Sequence, residues 1–510
     1  MSDVLSVPLA DAAATERLGA DLAVILKAGD LVLLRGDLGA GKTTLARGLV
    51  RHLAGEAVDV PSPTFTLVQP YETAPRVLHA DLYRIADPAE LAELGLDEAL
   101  ESGVVLVEWP ERGGDALPEP SLRVELEDHD VDGSVDGEGG RIAHLSGSAL
   151  PRAQRTLMLR AFLHAVGRGD AVRHHLTGDA STRAYETVRE IVEGGRPDPD
   201  ETLPPILMND PAQPDGPPLA NGLPYSRIAH LAEDVRPFVA VGAELRRRGL
   251  AAPRIHAADM QAGIVLLENF GTGTVLRDGA PDPERYRACA AMLAERMDWD
   301  LREPTLTLPL PDGTTHTVLP YDRGAMGVEV DLLADWYVRD VHGRDLSSDE
   351  RDTFHGLWAA LFDRLEAGPR TLVLRDFHSP NIVWRDWLRD ERRIGIIDYQ
   401  DALVGPHAYD LASLAQDARV DVPPELEAAL VDHYCAHRTD FDEEAFRETY
   451  AMVAAQRASK ILGIFVRLDL RDGKPHYRQH LPRMRGYIAR SLLHPALAEL
   501  RTFYAQVFAL

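Results

Sequence analysis

Leu31-Val-Leu-Leu-Arg-Gly-Asp-Leu-Gly-Ala-Gly-Lys-Thr-Thr-Leu-Ala46 opens on four apolar residues, turns on three glycines and continues into helix-forming residues. It reads as a short buried strand over Leu31–Leu34, a glycine-rich turn, and a helix running on from Thr43 to Leu53. Gly36 to Thr43 fits the pattern G-x-x-x-x-G-K-[ST] with no mismatch. Glycines there let successive backbone N–H groups point at phosphate oxygens, and the helix that follows adds its positive dipole end. The stretch implies a site for ATP and Mg²⁺. Gly36, Gly39, Ala40, Gly41, Lys42, Thr43 and Thr44 are expected to contact the nucleotide, with Lys42 at the β/γ-phosphates and the Thr43 hydroxyl on the metal.

Working outward, Thr15 to Lys27 reads as an amphipathic helix before the strand. Val60 to Val68 contains Ser62 between two prolines, which stiffen an extended segment. Val77 to Arg84 is a strand with Asp81 near its end, where α/β proteins place ligand groups. Pro88 to Glu101 is helical, and Val104-Val-Leu-Val-Glu108 is a buried strand ending in a carboxylate. An acidic residue in that place beside a phosphate loop holds Mg²⁺ or its water. Asp128 to Gly140 reads as a loop between strands Leu122–Leu126 and Arg141–Leu145.

At 510 residues the chain is expected to hold two to four domains. No apolar run reaches membrane-spanning length, Met1–Ala13 lacks the features of a secretory signal, and the two cysteines offer no disulfide framework. A cytoplasmic protein with no membrane partner is expected. The formal charge is −27; residues 1–150 carry 11 basic and 27 acidic side chains, hence −16, which leaves −11 for the rest. A surface this acidic excludes an unaided grip on nucleic acid. Only four lysines occur, Lys27, Lys42, Lys460 and Lys474, so Lys42 is not surface decoration.

Gly36–Thr43, Ser62-Pro-Thr-Phe65, His79-x-Asp-Leu-Tyr-Arg84 and Glu108-Trp109-Pro together resemble the TsaE family, in the family's order and spacing, over about residues 5–147. That family is the small ATPase of bacterial tRNA threonylcarbamoyladenosine synthesis. The resemblance implies roles for Asp81 and Glu108 in hydrolysis and metal binding, a nucleotide-sensing loop around Thr64, Trp109 near the nucleotide, and docking on a TsaB–TsaD pair.

Ser146 to Pro151 reads as a boundary, giving domains 1–147 and 153–510 with a linker at 148–152. A helix over Ala153–Val166 leads to a polar turn, His175 to Tyr185, that could close over phosphates. Leu372-Val-Leu-Arg-Asp-Phe-His-Ser-Pro-Asn381 holds Asp376 and Asn381 in the spacing D-x-x-x-x-N, and Asp398 ends a buried strand shortly after. Kinase-type phosphoryl transfer needs such a set: a carboxylate to accept the hydroxyl proton, an amide and a second carboxylate for Mg²⁺. Residues 153 to about 500 resemble the aminoglycoside phosphotransferase-like kinases, nearest the AmgK-type kinases of N-acetylmuramate and N-acetylglucosamine. Gly178-Asp-Ala-Ser-Thr-Arg183, Leu374 to Asn381, Ile397-Asp-Tyr-Gln-Asp-Ala402 and Gln456-Arg-x-x-Lys-Ile-Leu-Gly463 carry this resemblance. It implies Asp376 as the base, Asn381 and Asp398 as Mg²⁺ ligands, Ser181, Thr182 and Arg183 in a nucleotide loop, and a small amino sugar as substrate.

The fold expected is an α/β phosphate-loop domain followed by an α+β bilobal kinase-like domain. Where the superfamily places a lysine on an early strand, this chain has Met208, a trait the resemblance assigns to the subgroup. The competing expectation is a second domain that only binds or regulates, or that phosphorylates another small hydroxyl compound. Trp336 and Tyr337 are expected in the core, His378 and His407 as loop-fixing hydrogen-bond partners, and Asp410 as a structural brace.

Overall fold

The structure, a computed structural model, describes residues 4–129, 140–176, 183–190, 203–220, 222–297, 299–439 and 441–510. Its contacts divide into two units, Met1–Asp200 and Glu201–Leu510.

The first unit contains strands β1 (Leu5–Leu9), β2 (Leu31–Arg35), β3 (Val68–Tyr71), β4 (Arg76–Asp81), β5 (Gly103–Glu108), β6 (Leu122–His129), β7 (Gly140–Ser146), β8 (Val172–Leu176) and β9 (Ala184–Arg189). Its helices are α1 (Ala12–Ala23), α2 (Lys42–Ala54), α3 (Leu96–Ser102) and α4 (Leu150–Ala165). Seven strands form one sheet in the order β1-β7-β6-β2-β5-β4-β3. β2 pairs parallel with β5 and β6, and β4 parallel with β5, while the outer strands pair antiparallel. Both faces are covered, as the run of apolar residues in β2 and β5 requires. Val32, Leu34, Val104 and Leu106 pack under α1 and α2, with Leu22, Leu45 and Leu49. The alternate residues Leu31, Leu33, Val105 and Val107 pack with Leu82, Leu91 and Leu96 on the other face.

α1 and α2 cross in backbone contact. A Cβ on Gly48 would lie 2.0 Å from the Glu16 carbonyl oxygen, and one on Gly19 would lie 2.1 Å from that of Leu45. Only glycine fits either place. α1 begins earlier than the hydrophobic period predicts because Asp11 caps it, accepting from the Ala14 amide at 2.6 Å. The helix expected over Pro88–Glu101 is two pieces, a 3₁₀ turn Pro88–Glu93 and α3, separated at Gly95 with φ 68°. The stiff segment after Val60 turns before it becomes β3, with Leu67 at φ 65°.

The contact boundary lies beyond the linker drawn at 148–152, and buried charge is the reason. α4 starts at Leu150 with Arg152 paired to Asp30 at 2.9 Å. Arg160 on α4 donates to both oxygens of Asp21 on α1, at 2.7 and 2.8 Å. Arg173 on β8 is 1% exposed and donates to Asp21 at 3.1 Å, to Glu186 on β9 at 2.6 and 3.0 Å, and to the Thr156 carbonyl at 3.0 Å. The antiparallel β8–β9 hairpin is thereby fastened to α1 and α4.

In the second unit, strands Ile206–Asn209, Ile264–Leu267 and Ile255–Asp259 pair antiparallel in that spatial order. Helix Arg236–Arg247 follows the first of these, and its Phe238 stacks on Tyr399 with centroids 4.8 Å apart. The rest is helical, built around Glu443–Leu470, whose residues from Tyr450 to Gly463 are all buried. A helix buried on every side is one enclosed by its neighbours, and its polar residues Gln456, Arg457, Ser459 and Lys460 are buried with the rest. Short strand pairs, Arg370–Val373 with Leu403–Pro406 and Ile382–Trp384 with Ile394–Ile396, frame the polar loops between them. The chain is thus an α/β phosphate-loop domain followed by an α+β kinase-like fold. No helix among the described residues is long and apolar enough to cross a membrane.

Arg173→Met leaves Glu186 buried without its cation, and the expected cost is about 3–5 kcal/mol of stability. Urea unfolding checks this; a change within ~0.5 kcal/mol, as for a surface substitution, would refute the role given to Arg173.

Candidate functional sites

The parallel register decides the first site. Leu34 on β2 stands beside Glu108 on β5, and Glu108 beside Asp81 on β4, so both carboxylates emerge next to the glycine turn that leaves β2. The carboxyl edge of a parallel sheet is where α/β folds bind ligands. In the turn, Gly36 and Gly41 hold φ 138° and 102°, and a Cβ on Gly36 would meet the Leu126 carbonyl at 2.5 Å. Gly41 caps α2 with no side-chain hydrogen bond, which leaves the first-turn amides for an anion.

Lys42 Nζ donates to the carbonyls of Gly36 at 2.6 Å and Asp37 at 2.8 Å, and lies 3.8 Å above the Trp109 ring. Burial lowers the Lys42 pKa, opposed first by Glu108 and then by Glu111, Asp81 and Asp37. Thr43 Oγ1 donates to Glu108 Oε1 at 2.9 Å, and His79 Nε2 lies 3.0 Å from the same oxygen. Asp81 accepts from Ser62 Oγ at 2.5 Å, Thr64 Oγ1 at 2.7 Å and the Tyr83 amide at 2.9 Å. Asp81 is therefore tied to the Ser62–Thr64 segment, and Glu108 to the loop hydroxyl. A cavity of about 380 Å³ is lined by Gly39, Lys42, Thr44, Thr64, Glu108 and Trp109 among others; Ala40 is buried beneath it. The donor set fits a triphosphate with Mg²⁺: amides and Lys42 for phosphate, the Thr43 hydroxyl and Glu108 for a hard cation. His79 was not expected at this site. Its signal was its place two residues before Asp81, on the alternate-residue period of β4.

The second site lies in the second unit. Asp376 follows strand Arg370–Val373 and is partly exposed. The turn before it carries Arg375 at φ 75°, held by Asp410, which accepts from the amides of Leu374 at 2.7 Å and Arg375 at 2.9 Å. Asn381 Nδ2 donates to the Asp376 carbonyl at 3.0 Å and to Asp398 Oδ2 at 3.2 Å, so the three expected residues form one set. Gln400 Nε2 donates to the other oxygen of Asp398 at 2.9 Å. Asp398, at φ 60°, is aimed by the turn that ends strand Ile394–Ile396. Burial disfavours the Asp376 carboxylate, but Lys460 above all, with Arg457 and Arg375, outweighs it and holds its pKa below the usual value. Among the described residues no group of three or more His, Cys, Asp or Glu could hold a metal unaided. Asn381 and Asp398 suit Mg²⁺ that is also bound by phosphates.

Asp410 braces the turn, as expected, and Asp401 accepts from the Ala232 amide at 2.6 Å. His378 and His407 depart from expectation: His378 Nδ1 and His407 Nε2 are buried with no hydrogen-bond partner among the described residues. Burial drives both toward the neutral form, His407 to about 4. Tyr337 is core, but Trp336 lines a cavity. Met208 is 1% exposed, an apolar core residue. Ser181 and Thr182 lie outside the described residues; Arg183 stands just before β9.

One group behind Asp376 went unread. Glu329 is fully buried and accepts from Lys460 Nζ at 2.8 Å, Gln456 Nε2 at 3.0 Å, the Tyr321 hydroxyl at 2.5 Å and the Arg375 guanidinium. Burial opposes its charge, yet Lys460 and Arg375 hold its pKa down at about 2. Its signal was a lone acid among Met326, Val330 and Leu333 at helical spacing.

These two sites define a phosphate-loop ATP hydrolase followed by a kinase-fold phosphotransferase. The family model described as "Threonylcarbamoyl adenosine biosynthesis protein TsaE" matches residues 9–135. That described as "Phosphotransferase enzyme family" matches residues 224–448. An N-acetylmuramate/N-acetylglucosamine kinase of Caulobacter vibrioides is 36% identical over 360 residues, covering 69% of this chain and 96% of the relative. The TsaE protein of Rickettsia felis is 46% identical over 114 residues, covering 22% of this chain and 67% of its own. The chain belongs to both families, the TsaE family in its first part and the N-acetylmuramate/N-acetylglucosamine kinase family in its larger part. A likeness over 69% of the chain exceeds what Glu201–Leu510 contains, so the kinase part reaches back into the first unit.

Glu329→Gln strips Arg375 and Lys460 of their buried carboxylate. Because the native pKa lies below the ordinary 4.5, the carboxylate stabilises fully above about 4.5 and loses that effect as pH falls toward about 2. The stability gap between wild type and variant, read from urea unfolding at stepped pH, should therefore be largest near neutrality and close across that window.

Proposed function

We propose that the chain is bifunctional. Its first domain, residues 1–147, is the ATPase of tRNA threonylcarbamoyladenosine modification, and residues 153–510, after a linker at 148–152, phosphorylate the anomeric hydroxyl of N-acetylmuramate or N-acetylglucosamine in cell-wall recycling. The observation that carries the first part is the Thr43–Glu108 hydrogen bond beside Lys42, which sets a metal-binding pair at the phosphate loop. Lys42 neutralises phosphate charge, and Asp81, held by Ser62 and Thr64, links the hydrolytic edge to a loop that can report the nucleotide state. With a charge of −16 over residues 1–150, this domain works through TsaB–TsaD-like partners rather than by gripping tRNA.

The second part rests on the linked set Asp376, Asn381 and Asp398. Asp376 accepts the proton of the sugar hydroxyl as its oxygen bonds to the γ-phosphorus of ATP and the bond to ADP breaks. Asn381 and Asp398 would hold Mg²⁺, which supplies charge neutralisation at the transferring phosphate. Lys460 and Arg457 keep Asp376 ionised and ready to accept. Ser181, Thr182 and Arg183 belong to the nucleotide loop in this reading. Met208 favours the other reading, a kinase fold that only binds, and one assay separates the two.

ATP consumption and product mass are measured with both sugars for wild type, Lys42→Ala and Asp376→Asn. The sugar should gain one phosphate, lose that gain by at least about 100-fold in Asp376→Asn, and keep it in Lys42→Ala. Sugar-independent hydrolysis should disappear in Lys42→Ala alone. Absence of any phosphosugar would refute the kinase assignment. Lys42→Ala protein that still supports the tRNA modification would reduce the first domain to a scaffold.

A further inference from the structure

Resting on the sugar-kinase reading, we propose that the cavity beside Tyr225, Trp336 and Arg467 receives the carboxylate-bearing substituent of the substrate, and that Arg467 makes the kinase prefer an anionic amino sugar to its neutral counterpart. N-acetylmuramate differs from N-acetylglucosamine by a lactyl ether on C3, which ends in a carboxylate. With the C1 hydroxyl at Asp376, that ether is carried away from the base across the sugar ring.

The cavity, of about 630 Å³, lies between the segment Gln213–Glu233 and two helices that contribute Asp331, Trp336, Arg467 and Arg471. Lys460, Arg467 and Arg471 fall on one face of helix Glu443–Leu470, because spacings of seven and four residues return to the same side. Lys460 marks the catalytic end of that face through Glu329 and Arg375, the neighbour of Asp376. Arg467 stands about 10 Å further along the helix axis, a distance a substituted pyranose spans.

The acids that line the cavity have basic partners, Asp215 and Glu233 sharing Arg227 at 3.1 and 3.5 Å. Asp331 pairs with His355 at 2.7 Å, Asp335 with Arg351 at 2.8 Å, and Arg471 with Asp472 at 2.6 Å. Arg467 makes no ion pair among the described residues, and its Nε is buried without a hydrogen-bond partner there. Its guanidinium lies over the Tyr225 ring, 5.4 Å from the centroid. A half-buried guanidinium with an unused donor is suited to a carboxylate, which it can grip with two parallel N–H groups.

Backbone geometry points the same way. Leu333–Tyr337 is a π-helical turn, a form concentrated at functional sites. It packs against helix Glu443–Leu470 at Gly463, where a Cβ would lie 2.3 Å from the Leu332 carbonyl. The extra residue in the turn lets Tyr337 enter the core while Trp336 faces the cavity, an apolar plate for a sugar ring.

The test is steady-state kinetics of the full-length protein on both sugars, for wild type, Arg467→Gln and Arg467→Lys. In Arg467→Gln the KM for N-acetylmuramate should rise at least about tenfold, as for loss of one charged hydrogen bond, with kcat little changed. The KM for N-acetylglucosamine should stay within about twofold, and Arg467→Lys should recover part of the loss. Equal effects on both sugars, or none, would overturn the proposal. If wild type phosphorylates neither sugar, the kinase reading fails on its own. Calorimetric titration with N-acetylmuramate then decides the cavity: binding lost in Arg467→Gln supports it, and no binding to wild type overturns it.

Discussion

A carboxylate withdrawn from water stays ionised only if cations and hydrogen-bond donors meet it. Asp21 and Glu329, one in each unit, are among the buried carboxylates that set this demand. Asp21 is answered by Arg160 and Arg173, which brings α4 and the β8–β9 hairpin against α1. Glu329 is answered by Arg375 and Lys460, which fixes the turn before Asp376 against the longest helix. In each case a charge that must be neutralised decides which segments lie together. Apolar packing supplies the bulk of the stability, but it is less selective about partners.

The two sites reach similar ends by different means. At the phosphate loop the parallel sheet does the placing: three adjacent strands end together, so Gly36–Thr43, Glu108 and Asp81 converge without long loops. In the kinase part the chemistry sits on turns, and side chains hold the turns. Asp410 grips the backbone ahead of Asp376, Asn381 spans Asp376 and Asp398, and Asp417 accepts from the Ser379 amide at 2.7 Å. Positive φ at Arg375 and Asp398 is backbone strain maintained by those bonds.

What could be read in the sequence follows from how local its cause is. Gly36–Thr43 was legible because its glycines and lysine act within one turn. Asp81 and Glu108 were legible because each ends an apolar run, and Asp376 and Asn381 because only four residues lie between them in one loop. Glu329 was not, since Arg375 is 46 residues away and an acid within a helix, here two residues from Asp331, has no local signature of a partner. Trp336 was misplaced in the core beside Tyr337 because a 3.6-residue period does not foresee a π turn. The helix drawn over Pro88–Glu101 overlooked Gly95, whose left-handed conformation separates the two pieces. Residues 148–152 read as a linker, and what the sequence does not show there is that α4 begins at Leu150 and turns Arg152 and Arg160 toward α1 and the segment after it.

The Asp21 cluster also bears on how such a fusion persists. Asp21 precedes the expected linker while Arg160 and Arg173 follow it, so Asp21 and Arg160 are complements across that point, with Arg173 shared between Asp21 and Glu186. A gene divided between them would yield two proteins with newly unmatched ions at the surfaces that once met. Joining the two enzymes requires only a shared reading frame, whereas dividing them again also parts Asp21 from Arg160.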